Sequence, residues 1–213
     1  MGQLIVTEFV TLDGVAQAPG GPDEDRGGDF AFGGWQAPYV NLGGGANLIF
    51  DQASTMDALL LGRRTYEIFA GFWPTAPTEI EFTGLMNRVP KYVASRTLTG
   101  PLTWDSARLL EGDLAAAVTA LKDRHAEVHV IGSLDLVQSL LRLGLVDRLQ
   151  LWVYPVVLGK GKRVFESGAV PTALRLVDSA VFPNGTLKLD FATAGAPRFG
   201  NLGDPEEALQ RPT

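Results

Sequence analysis

At 213 residues with 46% hydrophobic content, the chain is long enough to bury a core of its own without disulfides or metal. Cysteine is absent, which excludes a disulfide scaffold, cysteine-ligated zinc, iron–sulfur clusters and a thiol nucleophile. With 18 Lys and Arg against 24 Asp and Glu, the net charge is −6 and there is no basic block, so nucleic acid and anionic membranes are not expected partners.

The opening MGQLIVTEFVTLDG has no basic segment ahead of its apolar run and no small-residue cleavage site. It therefore does not read as a signal peptide, and a cytoplasmic location is expected. No apolar run approaches the roughly 18 residues of a membrane span. A first strand is expected over 3–10, followed by a Gly-rich loop at 20–35 in which Asp23, Glu24, Asp25 and Asp29 outnumber Arg26. That loop is a solvated excursion or a lid. Further strands are expected at 57–61, 90–94 and 127–131. Between them, Leu114, Val118 and Leu121 mark a helix over 113–124 behind Asp113 as N-cap, and Leu134, Val137 and Leu141 mark one over 134–143 behind Ser133, with Gly144 just past its end. Strands alternating with helices predict a largely parallel sheet covered on both faces. After 147, Leu149, Leu151 and Val153 alternate with Gln150, Trp152 and Tyr154, and Asn184–Gly185 joins two further alternating runs. Both residues of that turn are expected at positive φ, and the C-terminal part is expected to be antiparallel. One domain over 1–195 and a polar tail over 196–213 complete the organisation.

Ligands of open α/β sheets bind at the carboxyl ends of the strands. Three strand ends here run into Gly62-Arg63-Arg64-Thr65, Ser95-Arg96-Thr97 and Gly132-Ser133. Helix N-termini, hydroxyls and guanidinium groups together make an anion cradle suited to the phosphates of a dinucleotide. No GxGxxG follows a strand, and GKGKR at 159–163 lacks the rest of a Walker A loop and reads as a basic turn. There is no GxSxG or HExxH, so neither a nucleophilic triad nor metal chemistry is expected. Trp35, Trp152 and Tyr154 are candidate walls of a flat heteroaromatic pocket, or else core or subunit contacts. The apolar character of the Trp152 and Tyr154 face predicts a homodimer.

LLLGRRTYE at 59–67, NRVPKYVASRTL at 87–98, VHVIGS at 128–133 and VDRLQLWVYPVVLGKGKRVF at 146–165 together resemble the dihydrofolate reductase-like proteins, which include the reductase domain of bacterial riboflavin biosynthesis. The similarity runs in order over about 3–193; TLDG at 11–14 resembles the riboflavin-pathway reductases, and GGW at 33–35 resembles the stand-alone bacterial members. The resemblance implies a central, mostly parallel sheet of about eight strands with a C-terminal antiparallel hairpin, helices on both faces, NADPH as reductant and often a homodimer. It places Gly62, Arg63 and Thr65, with Arg64 beside them, at the adenosine-side phosphates. Ser95 and Arg96 fall at the next strand end, and Gly132, Ser133 and Leu134 at the turn that meets pyrophosphate and nicotinamide. Relatives carry paired glycines there, preceded in the riboflavin enzymes by an acid, whereas this chain reads Ile131-Gly132-Ser133. Asp13, expected beside the nicotinamide, is the candidate proton donor, with Asp51 or water as alternatives and a turn role also open to it. The implied activity is hydride transfer to a small pterin- or pyrimidine-like heterocycle or a carbonyl compound. The alternative is a non-catalytic nucleotide-binding protein on the same fold.

Overall fold

The computed structural model describes residues 1–40, 53–167 and 169–201, so Asp51, the Gly-rich 42–47 stretch and the tail from 202 onward lie outside the described residues. Eight strands form one sheet: β1 Gln3–Thr11, β2 Ala58–Gly62, β3 Lys91–Ala94, β4 Ala107–Leu109, β5 Glu127–Ile131, β6 Arg148–Tyr154, β7 Leu174–Val181 and β8 Leu187–Thr193. Their order is β4-β3-β2-β5-β1-β6-β8-β7, parallel from β4 to β6 and antiparallel from β6 through β8 to β7. Among the described residues the named helices are α1 Ala37–Val40, α2 Arg63–Phe72, α3 Glu81–Arg88, α4 Leu114–Arg124 and α5 Leu134–Arg142. No helix among the described residues is long and apolar enough to cross a membrane.

The sheet is the expected one, with three differences of detail. β6 pairs parallel with β1 and antiparallel with β8, so it joins the two halves rather than opening the antiparallel part. The hairpin turn is longer than two residues: Phe182 N–H donates to Thr186 O, and Gly185, at φ +81°, donates to Phe182 O, while Asn184 is not at positive φ. Pro183 explains this, because its fixed φ suits the first central position of a type I turn and leaves only the following glycine left-handed. The short strand β4 and the helix α3 add to the elements read from periodicity.

Two apolar layers hold the sheet. On one face Leu4, Val6, Val128, Val130 and Leu149 pack against Val118 and Leu121 of α4 and Leu136, Val137 and Leu140 of α5. On the other, Leu59, Leu61, Val93 and Ile131 pack against Tyr66 of α2 and Leu85 and Met86 of α3. The Asp113 side chain accepts the Ala116 N–H at 3.0 Å and fixes the start of α4 as expected. These layers bring the starts of α2 and α5 to the carboxyl edge of the parallel strands.

Candidate functional site

β2 and β5 are neighbours in the sheet, so the helices that follow them begin side by side. The Gly62 N–H donates to Ser133 Oγ at 3.0 Å, tying the two helix starts together. Ser133 stands at the N-cap position of α5, but its backbone is left-handed at φ +66° and its side chain does not cap the helix, as the sequence had implied it would. Gly132 before it is also left-handed, at φ +65°. Two successive left-handed residues, one carrying a side chain, store strain of about 1–3 kcal/mol. The Ser133 hydroxyl is spent on the neighbouring helix, and neither α2 nor α5 receives a side-chain cap. A Cβ on Gly132 would approach Thr65 at 3.7 Å, so Thr65 and the turn face each other across a small gap.

Arg63 extends the cradle to the next strand end, where its Nη1 donates to Thr97 Oγ1 at 2.9 Å while its Nε pairs with Glu67 at 2.8 Å. The Ser95 hydroxyl accepts the N–H groups of Thr97 and Leu98 and shapes that turn, leaving Arg96 exposed. Arg64 points instead at the acidic loop: its Nη2 lies 3.1 Å from Asp25, whose other oxygen holds Lys162 at 2.8 Å. Burial pushes the Asp25 carboxyl up, but Lys162, the Gly27 N–H and Arg64 outweigh it and hold the group below the usual carboxylate range. The segment at 20–35 is therefore pinned to both the α2 start and the GKGKR turn.

Between β5 and β1 lies the crevice in which the chain reverses its winding direction. β5 ends level with Thr7, whose carbonyl accepts the Gly132 N–H at 3.2 Å, while β1 continues along β6 to the Thr11–Tyr154 pair. Such a crevice is the binding place of open α/β sheets. Gly132, Ser133 and Leu134 stand on its β5 side, and the Gly62–Ser133 bond sets Gly62, Arg63 and Thr65 beside them from the end of β2, with Ser95 and Arg96 reached through Thr97.

Asp13 has a different character from the proton donor expected of it. Its carboxylate accepts from Thr11 Oγ1 at 2.6 Å and from the Gly159 and Leu158 N–H groups at 2.8 and 3.2 Å, with Arg163 at 3.4 Å. The Thr11 hydroxyl above all, with the two amides, holds its pKa down to about 2. These contacts clamp the GKGKR turn against β1 and favour the ionised carboxylate.

Trp35, Trp152 and Tyr154 come together as a largely buried layer, and Trp152 and Tyr154 also line a small cavity with Tyr39, Phe182 and Thr186. Trp35, Trp152 and Tyr154 are 8%, 1% and 3% exposed and pack with Val15, Ala18 and Phe30. Trp35 and Tyr154 meet edge to face at 5.5 Å, Trp152 stacks on Phe182 at 5.4 Å, and the Tyr154 hydroxyl accepts from Gln36 at 2.7 Å. The segment from Val15 to Gln36 covers the face that the sequence left bare, so the apolar patch argued to pair two copies is internal.

A model of the RibD C-terminal domain matches residues 3–188. The chain belongs to that family. As a RibD C-terminal domain protein it is 28% identical over 191 residues to the uncharacterized protein YyaP of Bacillus subtilis (strain 168), covering 88% of this chain and 93% of that one. Among solved structures it shares its fold with a pyrimidine reductase-like protein of Corynebacterium diphtheriae, at 16% identity and TM-score 0.62 over 91% of this chain and 92% of that one. It also shares it with a diaminohydroxyphosphoribosylaminopyrimidine deaminase/5-amino-6-(5-phosphoribosylamino)uracil reductase of Thermotoga maritima, at 14% identity and TM-score 0.59 over 91% of this chain and 57% of that one.

Two features of this RibD C-terminal domain escaped the sequence reading. Thr7 Oγ1 donates to Gln150 Oε1 at 3.0 Å, Gln150 Nε2 donates to Asp190 at 3.2 Å, and Arg148 grips Asp190 with two hydrogen bonds. This buried polar strip starts at the foot of the crevice and runs across β1, β6 and β8; the polar residue between two apolar ones at Gln150 was its only local signal. The second is Glu8, 2% exposed, whose Oε1 has no hydrogen-bond partner among the described residues. Burial pushes its carboxyl up to about 8. A charged residue inside LIVTEFV was the signal. No cluster of three or more metal-ligating side chains is present among the described residues.

Proposed function

We propose that the chain is an NADPH-dependent reductase acting on a small pterin- or pyrimidine-like heterocycle or a carbonyl compound. The observation that carries this reading is the joining of two uncapped helix starts through the Gly62–Ser133 hydrogen bond, at the carboxyl ends of β2 and β5. Paired helix N-termini with free N–H groups suit a pyrophosphate, and a guanidinium held beside hydroxyls suits a third phosphate. The donor set therefore fits a phosphorylated dinucleotide. Gly62, Arg63, Thr65, Ser95, Arg96, Gly132, Ser133 and Leu134 would hold it, with Arg64 available once Asp25 is displaced. NADPH, when bound, supplies the hydride.

The chain's own residues position and enclose. Ser133 fixes the distance between the helix starts, Asp13 holds the 158–163 turn against β1, and Asp25 closes the acidic loop over Arg64. The Thr7–Gln150–Asp190–Arg148 strip is hydrogen-bonded within itself and braces β1, β6 and β8 against one another. The names of the solved relatives, a pyrimidine reductase-like protein among them, support the proposed substrate class. Because Asp13 is held ionised, the proton that accompanies the hydride comes from substrate, from water or from another acid. The same ionised Asp13, with Ile131 where the riboflavin enzymes carry an acid, favours the second reading, a protein that binds the cofactor without turnover.

Two copies of the chain would have to meet elsewhere than at Trp152 and Tyr154. The unpaired edge strand β7, with Leu176, Val177 and Val181 exposed, is the surface we assign to that contact. A fluorescence titration with NADPH, followed by oxidation assays against pyrimidines, pterins and quinones, tests the functional reading. Binding with turnover of one class is the expected result. Binding without turnover selects the second reading, and no binding at all overturns both.

A further inference from the structure

Glu8 stands where β1 leaves β5 behind. Thr7 is the last β1 residue in register with β5, opposite Ile131, and Glu8 is registered only toward β6, with Leu151. Strand alternation puts its side chain on the same face as Val6 and Val10, which is the face that α5 covers. Leu134, the first residue of α5, packs in one cluster with Val10 and Leu151. Glu8 thus sits one position past the end of β5, level with the Gly132 turn and buried on the side that α5 covers. Its partner on β6 is Leu151, and the next position back on that face is Val6, flanked by Val130 of β5 and Leu149 of β6, all aliphatic. The charged residues of the covering segments are committed elsewhere. Asp135 in the first turn of α5 is exposed, Lys162 is bonded to Asp25, and Arg163 is bonded to Asp13.

A buried carboxyl with an unpartnered oxygen costs stability, and such groups gather where a ligand or a reaction uses them. We propose that Glu8 is the proton-exchanging group of the crevice, protonated when the crevice is empty or holds a neutral ring and ionised when it holds a cationic one. The chain then discriminates oxidised from reduced nicotinamide by the release of a proton. This rests on the cofactor reading above. On binding of the cationic ring the carboxyl O–H bond breaks, its proton goes to solvent, and the carboxylate left behind pairs with the ring in a low-dielectric site, where that attraction is stronger than in water. Nothing is oxidised or reduced in the step. The burial that pushes the carboxyl up to about 8 sets the range in which the exchange is visible.

The test is calorimetric titration of the wild-type chain and of Glu8→Gln with NADP⁺ and with NADPH at pH 7, each in two buffers of different ionisation enthalpy. Wild type is expected to release about one more proton with NADP⁺ than with NADPH, and its NADP⁺ affinity should rise by up to about tenfold per pH unit from pH 6 to 8 relative to NADPH. Protonation of the cofactor phosphates is common to both ligands and cancels in the difference. Glu8→Gln, which keeps the shape of the side chain, should bind both cofactors with no difference in proton release. Equal proton release for the two cofactors in wild type, or a difference that survives in Glu8→Gln, overturns the proposal while leaving the cofactor reading intact. Failure of wild type to bind NADPH overturns the cofactor reading itself and this proposal with it.

Discussion

The rim of the crevice and the aromatic layer beneath the 15–36 segment are both built where the parallel strands end, and they are opposites. At the rim the helix starts are uncapped, Ser133 is held left-handed, and Arg63 and Arg64 are half exposed. In the aromatic layer Trp35, Trp152 and Tyr154 are buried against one another, and the polar tips of Trp35 and Tyr154 are hydrogen-bonded within the chain. The aromatic residues spend their surface on one another, whereas the rim leaves backbone donors unspent. Apolar rings gain most by burying each other, whereas uncapped N–H groups and strained backbone stabilise nothing unless a ligand completes them.

The largest effect that can break this comparison is at Trp152. Trp152→Ala is expected to cost about 3–5 kcal/mol in denaturant unfolding, as for a core aromatic. A loss below about 1 kcal/mol, typical of an exposed site, would return Trp152 to the pocket wall. Arg63→Ala sharpens the other side. With a charge-assisted contact worth about 1.5–3 kcal/mol, NADPH affinity should fall about tenfold to a hundredfold while NADH binding stays nearly unchanged. Equal losses for the two cofactors would detach Arg63 from the extra phosphate.

Glu8 belongs to neither region and tests both through pH. Burial raises its folded pKa to about 8 from the ordinary 4.5, so the wild-type fold loses stability as pH climbs between those values and is not penalised below them. Glu8→Gln should therefore gain on wild type by about 1.4 kcal/mol for each pH unit between those values, and equal it near pH 4. A constant difference across that range would mean that Glu8 does not titrate there.

The smallest effect is at Asp13. Its folded pKa lies below the unfolded value, so its contribution is present above about pH 4 and lost as pH falls toward 2. Asp13→Asn should lower stability at pH 7 by about 1 kcal/mol, flatten this acid limb and leave single-turnover hydride transfer within a few-fold of wild type. A hundredfold loss of rate with an unchanged melting temperature would instead restore the proton-donor role.

The sequence by itself determined the strands β1, β2, β3 and β5, helix α4 with its Asp113 cap, and the strand ends at Gly62, Ser95 and Gly132. These are local properties: a β-branched run bounded by Gly or Pro, a 3.6-residue period or a capping side chain declares itself within about ten residues. Tertiary structure alone decided what those segments do. The Gly62–Ser133 bond joins residues 71 apart, and the clamp of Asp13 on Leu158 and Gly159 joins residues 145 and 146 apart. The cover over Trp152 comes from a segment more than a hundred residues earlier. Glu8 shows the same limit: its identity was plain in the chain, but its lack of a partner follows from the aliphatic face that distant segments build on its side of the sheet. Periodicity tells which way a side chain points. Strand order and strand length decide what, if anything, it meets there.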